Sequence, residues 1–188
     1  MERGRSDHVG LVVKILSESF KDNKSVNYVV QQDGRREKRI SQLVEYSFNL
    51  CMRFGDVWIS DNQKGCALIM IPHQKTFSFR AIWWDIKLAF SAIGIHRVMK
   101  VMKRESKVKA FHPKKPVCYL WFIGVDPKYQ NDGTGSQLLQ DIIEYYEKRD
   151  MPIYLETSVD RNIPWYKRFG FEIFHKIEFS YTLYMLRK

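Results

Sequence analysis

The residues best suited to chemistry lie in the turn Gln130-x-x-Gly133-x-Gly135. It joins an apolar run, Cys118 to Val125, to a run of helical periodicity, Ser136 to Arg149. A glycine-bearing turn between a strand and a helix can aim several backbone N–H groups at one anion. The helix N-terminus adds about half a positive charge there. The chemistry indicated is capture of a phosphate-bearing ligand, although an ordinary turn using glycine for positive φ has the same composition. Two phosphate motifs are excluded. No Gly-Lys-Ser/Thr follows, and a dinucleotide fingerprint starting at Gly133 and Gly135 needs a third glycine where the chain has Leu138. Cys51, Cys66 and Cys118 form no C-x-x-C pair and no cluster with histidine, so no metal site is expected. Cys118 reads as a small core residue rather than a catalytic thiol.

The elements that must position this turn follow from periodicity. Residues 9–20 repeat apolar positions at helical spacing, as do residues 40–52, with Gly55 as the expected stop. Residues 57–60 and 66–72 read as strands joined by the turn 61–65. Phe79 to Lys109 is a long helical stretch that should split at Gly94, and residues 112–116 break it. The Trp83-Trp84 pair in its first half could wall an acceptor pocket or pack the helix on the sheet. A strand at 117–125, a helix at 136–149 and an alternating strand at 153–159 follow. A short helix at 162–169 has Pro164 in its first turn and Gly170 at its end. Strands at 171–179 and 181–186 close the chain. This order predicts an α/β (mixed α+β) fold with a mixed sheet, the 117–159 unit forming a parallel crossover.

A chain of 188 residues suits one domain, 1–188. Its net charge of +10 favours anionic partners: nucleic acid, acidic lipid or a polyphosphate. Between His96 and Lys115 the basic residues far outnumber the single acid, Glu105. No RNA-stacking or helix-turn-helix signature accompanies them, which disfavours nucleic acid. The longest uncharged run of the Ala81–Met102 stretch, Leu88 to Ile95, is far too short to span a bilayer, so no membrane partner is expected. The cysteine usage and the lack of an apolar leader suit a cytoplasmic location.

A second block, Asn162-x-x-x-Tyr166-Lys167-Arg168-Phe169-Gly170-Phe171, follows the 153–159 strand. Together with Gly124-Val125-Asp126-Pro127-Lys128-Tyr129-Gln130 and the glycine turn, it resembles the GNAT superfamily of acetyl-CoA-dependent N-acetyltransferases. The match covers about residues 117–186. The family's first strand is not obvious in the sequence, and 79–115 looks like a helical insertion. The resemblance implies a sheet splayed at a cofactor slot and acetyl-CoA as co-substrate. Backbone N–H groups of Gln130, Asn131, Asp132, Gly133, Thr134, Gly135 and Ser136 would cradle its pyrophosphate. Ile123, Gly124 and Val125 would pair with its pantetheine arm like an added strand. Asn162 would lie near that arm and Tyr166 near the thioester sulfur.

The implied reaction is direct attack of an amine, expected to be that of a small molecule, on the thioester through a tetrahedral intermediate. A backbone N–H near Val125 would face the oxyanion. Tyr166 would protonate the departing thiolate, unless it is only a packed aromatic. For the base the candidates are Glu156, His112 or a water chain. Glu156 also reads as a surface carboxylate, and His112 as a loop histidine of ordinary near-neutral type. The alternative function is a non-catalytic acyl-CoA-binding or sensing module on the same fold. Homodimerisation through a sheet edge is left open.

Overall fold

In the computed structural model, which describes residues 1–113 and 115–188, apolar alternation resolves into seven strands. They are β1 (Glu2–Arg3), β2 (Gly55–Ile59), β3 (Gly65–Met70), β4 (Cys118–Val125), β5 (Ile153–Thr157), β6 (Glu172–Glu178) and β7 (Thr182–Arg187). They form one sheet in the order β1-β2-β3-β4-β5-β7-β6. Only β4 and β5 pair in parallel, across the crossover that the 117–159 unit predicts. The helices are α1 (Val9–Phe20), α2 (Lys24–Val29), α3 (Arg36–Phe54), α4 (Phe79–Leu88), α5 (Val98–Lys109), α6 (Thr134–Glu147) and α7 (Ile163–Arg168). Of the expected breaker 112–116, Lys114 lies outside the described residues.

Two cores flank the sheet. On one face Val12, Ile15 and Leu16 of α1 and Leu43, Val44 and Phe48 of α3 pack on Val57, Leu68 and Phe122. On the other, Leu138, Leu139, Ile142, Ile143 and Tyr146 of α6 cover Ala67, Ile69, Leu120 and Leu155. Each of these α6 side chains is at most 3% exposed. Burying one aliphatic side chain of this kind contributes about 1.5–3 kcal/mol, which fixes α6 and the turn at its head. The three cysteines are buried, and burial pushes their thiols up, out of reach of ordinary nucleophilic chemistry.

Several details differ from the sequence-based expectation. The edge strand β1 spans two residues, too short for alternation to register, and Arg3 Nη1 anchors it to Asp56 of β2 at 2.9 Å. Helix α2 is also short; Asn23 Oδ1 caps it by accepting from Val26 N at 3.0 Å. Gly55 does not stop α3 through a left-handed turn. Its φ of −174° is extended and begins β2, and a Cβ there would lie 2.0 Å from the Ile69 carbonyl oxygen. Gly94 does split the long helical stretch, at φ 82°. Trp84 and Trp83 part company: Trp84 packs with the α1–α3 core, whereas Trp83 is 64% exposed. Helix α4 rests on α3 rather than on the sheet, with the Tyr46 hydroxyl donating to Asp85 Oδ1 at 2.6 Å.

Candidate functional site

The slot is made by one extra residue in β4. Leu68 of β3 faces Phe122, and its neighbour Ile69 faces Leu120, so Trp121 has no partner and forms a bulge. A bulge bends its strand and shifts the faces of the residues beyond it. Before Trp121, Cys118 and Leu120 join the α6 core; after it, Phe122 joins the α1–α3 core and Ile123 the α6 core. Pairing of β4 with β5 stops at the same point. It runs Cys118–Ile153, Tyr119–Tyr154 and Leu120–Leu155, and no further. Beyond Leu155, β5 continues on β7 alone, with Glu156 opposite Met185 and Thr157 opposite Tyr184.

The edge of β4 left open carries usable donors. Asp126 N donates to Lys64 O at 2.8 Å on the β3 side. Strand alternation therefore turns the N–H and C=O groups of Val125 and Ile123 to the other edge, into the opening. Ser19 Oγ donates to the Val125 carbonyl at 2.7 Å, which leaves the Val125 N–H. Helix α1 packs close over Gly124: a Cβ there would lie 2.8 Å from Leu16 Cδ2 and 3.1 Å from Ser19 Oγ, so these side chains would have to shift.

At the head of α6, Gly133 caps the helix at φ 88° and Asn131 also has positive φ, 69°. A side chain at Gly135 would press on Val125 Cγ2 at 3.3 Å. The turn is braced from the β2–β3 hairpin, which the sequence reading did not connect to it. Asn62 Nδ2 donates to Thr134 Oγ1 at 2.9 Å, and Lys64 Nζ lies 3.8 Å from Asp132 and 4.2 Å from the centre of the Tyr129 ring. From the other side, Trp165 Nε1 of α7 donates to Ser136 Oγ at 3.1 Å. One donor of the cradle is already taken, because Asp132 Oδ1 accepts from Thr134 N at 2.9 Å. The Thr134 hydroxyl and then its backbone N–H, with help from Lys64, hold the Asp132 carboxyl below its ordinary value. The remaining residues fit a pyrophosphate: an N–H-rich helix head, a glycine with open space beside it, and a lysine.

The two base candidates prove to be partners. His112 Nε2 lies 3.1 Å from Glu156 Oε1. With Nε2 protonated, the imidazole donates to this carboxylate and leaves Nδ1 as the acceptor nitrogen. Glu156 is not a surface carboxylate; its side chain is 8% exposed, against 24% for His112. Arg104, on α5, stands 3.7 Å from Glu156 and is itself buried, donating to Tyr181 Oη at 3.0 Å and to Ser25 Oγ at 2.7 Å. Arg104 was read from sequence only as part of a basic stretch. Its spacing with the buried Val101 and Val108 was the available signal that it faces inward. Tyr119 also meets the pair, its ring centre 5.0 Å from that of His112.

Tyr166 is buried in the α6 core between Trp165 and Phe171. Burial alone pushes its phenol well up, with no neighbouring charge contributing. Asn162 is half-buried at the head of α7, four residues before Tyr166. Lys128, Lys167 and Arg168 are all exposed.

Comparison with known proteins agrees with this geometry. The acetyltransferase (GNAT) family model matches residues 79–171, a range that includes β4, the glycine turn, β5 and α7. An uncharacterised N-acetyltransferase of Schizosaccharomyces pombe is 40% identical over 53 residues. That stretch is 28% of this chain and 22% of the curated relative, so the match spans about a fifth of the relative's length. Among solved structures, one of a histone acetyltransferase HPA2 and related acetyltransferase from Corynebacterium glutamicum aligns with a TM-score of 0.73 at 23% identity. It covers 98% of this chain and 93% of that one. Arylalkylamine N-acetyltransferase 2 from Aedes aegypti aligns with a TM-score of 0.65 at 14% identity, over 100% and 96% of the two chains. Among the described residues, no helix is long and apolar enough to cross a membrane.

Proposed function

From the match of residues 79–171 to the acetyltransferase (GNAT) family model, we propose that the chain is a GNAT enzyme that transfers an acetyl group from acetyl-CoA to the amine of a small molecule. The observation that carries this reading is the open edge of β4 beyond Leu120, which leads to the glycine turn at the head of α6. Acetyl-CoA, as co-substrate, supplies the acetyl thioester. Backbone N–H groups between Gln130 and Ser136, apart from that of Thr134, bind its pyrophosphate, with Lys64 as the nearby cation. Ile123, Gly124 and Val125 bind the pantetheine arm as an added strand, alongside Asn162. In this reading the chain is a single domain, 1–188, and α4 and α5 are part of it.

His112 is the base in this reading, and Glu156 holds it. With Nε2–H fixed on the buried carboxylate, Nδ1 accepts a proton from the acceptor ammonium, releasing the lone pair that attacks. The Val125 N–H stabilises the charge that develops on the carbonyl oxygen. As the C–N bond forms and the C–S bond breaks, Tyr166 hands its phenolic proton to the leaving sulfur, and the second proton shed by the new amide nitrogen returns through solvent to restore the phenol. A phenol pushed up by burial is fully protonated near neutral pH, so the donor is always loaded.

Two measurements test the proposal. Acetyl-CoA at 100 times its dissociation constant should stabilise the fold by about 2.7 kcal/mol. Thiol release should then appear with at least one member of a broad amine panel. No thermal shift at millimolar acetyl-CoA would sink the reading. A shift without thiol release from any amine would leave the acyl-CoA-sensing module instead.

A further inference from the structure

We propose that the helical pair α4–α5 is a docking face for the surface of an anionic lipid bilayer. Helix α4 is amphipathic in the wrong direction for a water-facing helix. Ala81, Trp84 and Leu88 pack inward against the α1–α3 core. Its charged edge is also turned toward α3, where Asp85 accepts from Tyr46 and Lys87 Nζ lies 3.4 Å from Glu45. What faces solvent is Phe79, Ile82, Trp83, Ile86 and, in the turn beyond, Phe90, each between 42% and 81% exposed. Their spacing of three, four and seven puts them on one stripe, at about 100° per residue, opposite the buried edge. Single exposed apolar side chains need no explanation, but a stripe of five large ones marks an interaction surface. Past Gly94 the same character continues in Ile95, Met99 and Met102, all more than half exposed.

Charge selects the occupant. Residues 79–109 contain eight Lys and Arg against two acids. Arg80, Lys100, Lys103, Lys107 and Lys109 are exposed as well. A second copy of this chain would set like charges against like across a twofold axis, which works against a homodimer on this face. Nucleic acid would take the charges but offers no hydrocarbon for Ile82, Ile86 or Met99. A bilayer rich in acidic lipid takes both: aromatic and aliphatic side chains enter the headgroup boundary, and lysines meet the lipid phosphates. The helices lie in the surface rather than across it, consistent with the lack of any spanning helix among the described residues. The proposal does not depend on the acetyl-transfer reading.

The test is sedimentation of the full chain with vesicles of phosphatidylcholine alone or with about 30% phosphatidylglycerol. Binding to the anionic vesicles at about 0.1 M salt is expected, at least tenfold weaker on the neutral ones or at about 0.5 M salt. Trp83 fluorescence should shift to the blue on binding, and Trp83→Phe should remove that shift. The double variant Ile86→Glu/Phe90→Glu should lose at least tenfold in vesicle affinity while keeping its melting temperature, since both side chains are exposed. Four outcomes would overturn the proposal: no sedimentation with anionic vesicles; equal binding to neutral ones; full binding by the double variant; or a wild-type dimer that the double variant loses.

Discussion

Glu156 and His112 stand 44 residues apart in the chain and 3.1 Å apart in space, at the point where β4 and β5 separate. The carboxylate is enclosed and the imidazole is the more open of the two, which favours the proposed arrangement of His112 as base and Glu156 as its support. If they work as a unit, His112→Ala and Glu156→Gln should each lower kcat/KM by roughly 100-fold, and the double variant should be no worse than the weaker single. Fully multiplicative losses would separate the two residues, and unchanged turnover in His112→Ala would remove it from the mechanism.

Tyr166→Phe should keep the packing against Trp165 and Phe171 and lose only the hydroxyl. Turnover is expected to fall roughly 100-fold, with the dissociation constant for acetyl-CoA changed less than threefold. Steady-state kinetics beside equilibrium titration separates the two quantities. Equal turnover in both proteins would make Tyr166 a packing residue.

Asp132 spends its carboxylate on the Thr134 N–H, a donor that a pyrophosphate would otherwise use. Asp132→Asn removes the negative charge and weakens that claim. Calorimetric titration should show coenzyme A binding severalfold tighter to the variant, and more so at low salt. Weaker binding would mean that Asp132 shapes the turn more than it obstructs it.

Gly55 has backbone, not side chain, in the way of any Cβ, with the Ile69 oxygen at 2.0 Å and Met70 Cα at 3.1 Å. Gly55→Ala must therefore push β2 from β3. A loss of about 1–3 kcal/mol is expected from such overpacking, a fall of roughly 2–12 °C in Tm at this chain length. A melting temperature within a degree of wild type would contradict the close approach.

Burial pushes the phenols of Tyr46, Tyr146 and Tyr166 up in the folded chain. In the unfolded chain they lose protons near pH 10. The unfolded state then binds fewer protons than the folded one, so stability is intact below about pH 10 and falls as pH rises beyond it. Denaturant midpoints measured from pH 8 to 11 should decline only at the alkaline end, and Tyr166→Phe should soften the decline.

Much of the site was legible because its parts are local. The glycine turn, the capped helix after it and the Asn162–Tyr166 block each lie within one element and its cap, and periodicity with turn chemistry locates them. What escaped depends on topology. The bracing of Thr134 by Asn62 joins residues 72 apart, and the burial of Glu156 needs α5 brought over β5. Neither leaves a trace in local composition. Arg104 is an intermediate case: its spacing with Val101 and Val108 was readable, but the run of lysines around it suggested a solvated face. The outward stripe of α4 shows the limit of periodicity, which finds two faces without saying which one is covered.

The bulge at Trp121 reduces the slot to a matter of chain length. Omitting that one residue would leave Tyr119, Phe122 and Gly124 on the α1 side and Leu120, Ile123 and Val125 on the α6 side, in unbroken alternation. The apolar pattern of β4 is thus already that of a closed sheet. A chain one residue shorter could zip β4 onto β5 through Glu156 and Thr157, gaining ladder hydrogen bonds and losing its opening. The opening thus begins where β4 carries one residue more than its partner β3, and the ladder bonds not made there are stability that the fold forgoes.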